Sequence, residues 1–114
     1  MATGLPGAGE DPDDKEGHGT HVAGTVIAKT YGVAKKANAI AVKVLPDSGG
    51  GAVSDAIAGI DWVVAQFEAN PTPSLMNMSF GSDVSQPLDQ AVNNVGENKV
   101  PGPSFTHHSF ALGC

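Results

Sequence analysis

Cysteine is nearly absent: the single thiol, Cys114, is the last residue and has no partner elsewhere in the chain. No disulfide framework can be drawn, and the redox compartment stays open. Positive charge is scarce too. Six Lys+Arg against twelve Asp+Glu leave a net charge of -6 at pH 7, and no basic run is longer than Lys35-Lys36. A nucleic-acid partner is therefore not expected. No apolar run reaches the roughly 20 residues that cross a bilayer, so no membrane partner is expected either. The opening Met1–Gly7 lacks the basic and apolar blocks of a secretion signal, so the residues as written carry no secretory address. The His-Glu pattern of zinc proteases is missing, and no third ligand stands at a zinc spacing, so no metal and no cofactor are expected.

What is present is 114 residues with 40% hydrophobic and 16% charged content, enough for at most one mildly acidic globular domain. Its most unusual stretch is Gly17-His18-Gly19-Thr20-His21-Val22-Ala23-Gly24-Thr25. Glycine costs a helix up to about 1 kcal/mol against alanine, so three of them in nine residues serve another purpose. Two uses fit: close packing on another backbone, or room for a ligand beside His18. A histidine at a helix entrance can take and return a proton near neutrality, which suits a general base. The bland alternative is a structural histidine. A further alternative is a small metal-binding protein that uses His18 and His21, three apart, with His107 and His108.

The stretch resembles the histidine motif of the subtilisin-like serine proteases, in which the first histidine of H-G-T-H deprotonates a serine. The resemblance makes His18 the catalytic base and His21 structural. It also implies the fold class: α/β, a partial subtilase fold with a mostly parallel sheet and helices on both faces. The implied domain layout is a loop or disordered lead-in over 1–16, a partial peptidase domain over 17–95 and a divergent tail over 96–114.

Residues 1–16 are rich in glycine, proline and acid. Asp13 or Asp14 could be a triad carboxylate, but the family places that residue well upstream, after a strand, so both read as surface loop. His18 to about Lys29 is expected as a helix, with Val22, Val26 and Ile27 as its apolar stripe and Gly19 and Gly24 permitting close approach. The short connection Thr30–Ala37 resembles the proteinase K-like and fungal branch, which implies that the calcium loop of the bacterial enzymes is missing.

Ala39–Leu45 reads as a strand buried on both faces and opens into Pro46-Asp47-Ser48-Gly49-Gly50-Gly51. A glycine run at the carboxyl end of such a strand is either a flexible turn or a place where ligands bind. The resemblance assigns Gly49, Gly50 and Gly51 to main-chain pairing with an extended polypeptide substrate, with Leu45, Val53 and Ala56 lining a more distant pocket. Ser54 is expected to cap a helix carrying Ala56, Ile57, Ile60, Val63, Val64 and Phe67 at helical spacing, with Asp61 and Trp62 off that stripe and Asn70-Pro71 ending it. Ser74–Ser79 reads as the second strand. Asn77-Met78-Ser79-Phe80-Gly81 resembles the family's N-M-S-L-G segment, which makes Ser79, Phe80 and Gly81 the opposite substrate-binding edge. Phe80 either narrows the cleft or points inward. Ser85 then caps a helix with Leu88, Ala91, Val92 and Val95 on one face.

The resemblance covers about Asp13 to Asn94 and is lost after Val95. Two prolines and His107-His108 are poor material for the central strand that relatives carry next. The family's A-A-G-N and G-T-S-M-A segments do not occur, and neither Ser104 nor Ser109 stands in a nucleophile setting. The expected function is therefore a serine-type endopeptidase by family, inactive as these residues stand. A non-catalytic truncated product or peptide-binding remnant is the alternative. Exposed sheet edges would favour self-association. A full-length relative would be secreted or vacuolar.

Overall fold

The structure, a computed structural model, describes residues 13–98 and 109–113, with side chains described for 13–95. Three helices and three strands alternate: α1 (His18–Ile27), β1 (Ala39–Lys43), α2 (Val53–Ala69), β2 (Leu75–Met78), α3 (Gln86–Asn98) and β3 (Ser109–Gly113). All strand pairs are parallel, in the order β1-β3-β2. The α/β class and the parallel sheet inferred from sequence are both present.

The central strand is the departure. β3 comes from the tail whose prolines argue against a strand, and it pairs with β1 from Ala39↔Ser109 to Lys43↔Gly113 and with β2 from Leu75↔Ser109 to Met78↔Leu112. Pro101, Pro103, His107 and His108 lie outside the described residues; the strand begins just after them. β1 and β2 each offer one edge to the same gap, and a short apolar segment that can pair on both sides fills it. Local composition did not reveal this because both partners are supplied from distant parts of the chain.

The core lies between the sheet and the helices α2 and α3. Val42 and Val44 meet Ile60 and Val63, and Ile40, Met76, Met78, Phe80, Leu88, Ala91, Val92 and Val95 pack around them. Ile60 and Val42 are fully buried. The stripe read for α2 is correct at Ala56, Ile60 and Val63, and α3 turns its predicted face inward. Asp61 is exposed as expected, but Trp62 packs against the core. The long indole reaches apolar surface from the flank of the stripe.

α2 and α3 pack against each other and against the same core cluster. α1 packs against β3 and, to a smaller extent, β1. The register there aligns Ala39, Ala41 and Lys43 with Ser109, Ala111 and Gly113, a row of mostly small residues.

Some boundaries and caps differ from expectation. α1 ends at Ile27 and not near Lys29, and α2 starts at Val53 with Ala52 at the cap position, so Ser54 lies within the first turn and makes no capping bond. Ser85 does precede α3, its hydroxyl 3.4 Å from the Leu88 amide. A Cβ added at Gly24 would meet no described atom within 4 Å.

Candidate active site

His18 is the first residue of α1 and is half-buried. Gly17 before it has φ of 90°, a left-handed conformation that favours glycine and turns the chain abruptly into the helix. The first turn of a helix leaves amide N–H groups without partners, and here two acidic side chains supply them. Asp14 Oδ1 accepts from the Gly17 amide at 2.8 Å, and its Oδ2 accepts from the Thr20 amide at 2.7 Å and the Thr20 hydroxyl at 2.6 Å. Glu16 Oε2 accepts from the His18 amide at 2.9 Å. Asp14 does belong to a loop, as the sequence suggested, but it is an organised one. The legible signal was an acidic residue a few positions before the helix and a threonine in its first turn.

With its oxygens engaged, the Asp14 carboxyl is held below the usual carboxylate range, chiefly by the Thr20 hydroxyl and further by the Thr20 and Gly17 amides. A lowered folded value stabilises the fold at pH above the unfolded value near 4. That contribution is lost as pH falls through the lower folded value. Amide protection over 17–20 is expected to hold from pH 7 to about 5 and to collapse below about 4 in an exchange series. In Asp14→Asn this acid step should disappear, at a cost of about 1 kcal/mol in cap strength.

The His18 ring itself has an unusual environment. Its Nδ1 is buried and has no hydrogen-bond partner, the one such side-chain atom among the described residues. A buried polar atom left unpaired costs about 1–3 kcal/mol, so an open valence here needs a reason. His21, one turn on, is exposed.

Lys43, at the end of β1, joins this turn to the first of the two predicted edges. Its Nζ donates to the Asp13 carbonyl at 3.0 Å and pairs with Asp47, which Lys15 also meets at 3.3 Å. The Lys43 ammonium is the main reason that the Asp47 carboxyl titrates below its ordinary value. Asp47 sits in the turn closed by the Gly49 amide on the Pro46 carbonyl at 2.9 Å, and Gly49 has φ of 84°. Gly49, Gly50 and Gly51 follow as an exposed, irregular segment at the carboxyl end of β1. A side chain at Gly51 would run into Leu45.

Ser79, Phe80 and Gly81 leave the carboxyl end of β2, at the same end of the parallel sheet as the glycines after β1. Asn77 Nδ2 donates to the Ser79 hydroxyl at 2.8 Å. Phe80 packs against the core, which decides between the two orientations left open by the sequence, and Gly81 is exposed. Among the described residues, no hydrogen bond runs from the His18 side chain to either edge. No group of three or more His, Cys, Asp or Glu side chains converges among them, and no described helix is long and apolar enough to cross a membrane. His107 and His108 lie outside the described residues.

The family model described as the subtilase family matches residues 2–111. The likeness thus extends into both ends, beyond the span visible in the motifs alone. The alkaline serine exoprotease A of Vibrio alginolyticus is 48% identical over 104 residues, covering 91% of this chain and 19% of its own. A subtilase-type proteinase of Schizosaccharomyces pombe is 49% identical over 87 residues, 75% of this chain and 19% of its own. The subtilisin-like serine protease AsES of Sarocladium strictum is 46% identical over 89 residues, 76% of this chain and 23% of its own. The chain spans about one-fifth of the length of these relatives. No solved structure matches it.

Proposed function

The chain belongs to the subtilase family, and from that premise we propose that it carries the histidine base and both peptide-binding edges of a serine endopeptidase. The observation that carries this reading is the buried, unpartnered Nδ1 of His18. In the serine-protease template a base histidine donates its Nδ1 proton to a carboxylate, which holds the tautomer whose Nε2 accepts the serine proton. An imidazole with Nδ1 turned inward and unpaired is suited to receive such a partner. In the reaction the serine oxygen bonds the peptide carbonyl carbon while His18 Nε2 takes its proton. His18 then gives that proton to the leaving amine as the C–N bond breaks, and water releases the acyl group by the same route in reverse.

Gly49–Gly51 and Ser79–Gly81 are the proposed substrate edges. They follow the carboxyl ends of the two outer strands, β1 and β2, and an extended peptide would pair with their main chain. Main-chain pairing accepts many side chains, so a polypeptide substrate follows. For the full-length protein the same reading implies a secreted or vacuolar address.

The 114 residues hold no G-T-S-M-A segment, so we expect binding without cleavage. Loss of the serine or the histidine alone lowers subtilisin turnover on the order of a million-fold, and that enzyme is the source of the general rule. The test incubates the chain with a chromogenic peptide and a serine-directed phosphonate, followed by mass. Neither turnover nor label is expected, while amide signals of Gly49–Gly51 and Gly81 should move on titration with an uncleaved peptide. Labelling at Ser104 or Ser109 with turnover would show a substitute nucleophile. Undisturbed glycine signals at millimolar peptide would remove the two edges from the proposal.

A further inference from the structure

We propose that Asp14 is a positioning residue for His18, acting through Gly17 and Thr20 to hold the imidazole with its Nδ1 turned inward. This rests on the reading of His18 as the base. The Asp14 carboxylate bridges the turn: one oxygen binds the Gly17 amide before His18, and the other binds the amide and hydroxyl of Thr20 after it. His18 is thus flanked on both sides by groups tied to one carboxylate. Gly17, the cap residue, has no side chain with which to cap, and its left-handed backbone is the joint most in need of restraint. A carboxylate accepting several N–H and O–H donors can hold such a joint, because charge-assisted bonds are roughly twice as strong as neutral ones.

The same bonding explains why an acidic residue so close in sequence does not serve His18 directly. Both Asp14 oxygens are committed to the helix entrance, so the carboxylate fixes the ring's attachment and leaves Nδ1 for another partner. Thr20 contributes twice, as an amide in the first turn and as a hydroxyl that no alanine could replace. The Lys43 bond to the Asp13 carbonyl anchors the turn at its start, so the restraint passes from the sheet to the helix.

The test uses ring ¹⁵N shifts of the full chain, with exposed His21 as the internal reference for a solvated imidazole. In the wild type, His18 and His21 should differ. In Asp14→Ala the His18 ring is released into water, and its shifts should converge on those of His21, which should not move. Thr20→Val should give partial convergence, and Thr20→Ser, which keeps the hydroxyl, should retain the wild-type pattern. A purely structural cap would lower the denaturation midpoint and leave the folded-state His18 shifts unchanged. A folded Asp14→Ala or Thr20→Val chain with wild-type His18 signals overturns the proposal, and if Asp14→Ala does not fold, the two Thr20 variants decide it. Peptide binding at the glycine edges is read independently, so failure there leaves this result intact.

Discussion

Removing Ser109–Cys114 is expected to abolish cooperative folding. β1 and β2 do not pair with each other; each pairs with β3, through five register positions on one side and four on the other. Without β3 the sheet does not lose an edge, it ceases to exist. A net contribution of about 1 kcal/mol per backbone hydrogen bond, summed over a doubly paired strand, is comparable with the 5–15 kcal/mol that holds a domain together. α1 would lose its main support as well, because its contacts with the sheet are with β3 and, to a smaller extent, β1. The far-ultraviolet circular dichroism of the shortened chain should show no sigmoidal urea transition. Ala111→Pro is a single-site version of the experiment, removing an amide from a strand paired on both sides, and should cost about 3 kcal/mol or more. A shortened chain that unfolds cooperatively at the wild-type midpoint would show that β3 does not hold the sheet together.

Ile60→Ala should be nearly as damaging. Five hydrophobic side chains are buried among the described residues, namely Val42, Val44, Ala56, Ile60 and Val63, and Ile60 is only 1% exposed. Truncating it removes the contact between α2 and the Val42-Val44 row and leaves a cavity, at a cost of about 2–5 kcal/mol. In so small a core that is a large part of the total. Ile60→Val, which removes one methylene, should cost about 0.5–1.5 kcal/mol. Urea midpoints of the two variants would check the order. The effect should reach the proposed cleft, because α2 begins two residues after Gly51. Amide signals over 49–51 are expected to broaden in Ile60→Ala and to remain sharp in Ile60→Val. Equal midpoints for the alanine variant and the wild type would mean that α2 is not held by this core.

Much of the candidate site was legible because it is local. His18 at a helix start, glycines after β1 and the Ser79-Phe80-Gly81 turn after β2 are each set by a few neighbouring residues. Their elements formed where periodicity and turn residues placed them. The same locality explains the errors. Ser54 has the chemistry of a cap, yet Ala52 holds the cap position and α2 begins at Val53, two residues before a Ser54 cap would start it.

By itself the sequence determined the types of the elements from α1 to α3, the family motif around His18 and the two glycine-bearing turns, since these depend on spacing, backbone freedom and short-range bonding. Tertiary structure alone decided the rest. It placed a tail segment at the centre of the sheet, where two distant strands offered open edges. It turned Phe80 into the core, committed Asp14 to the helix entrance and left His18 Nδ1 buried without a partner. Each of these depends on which groups meet in space, and pairing across a sheet or under a helix is fixed by the free energy of the whole assembly, not by any run of neighbouring residues.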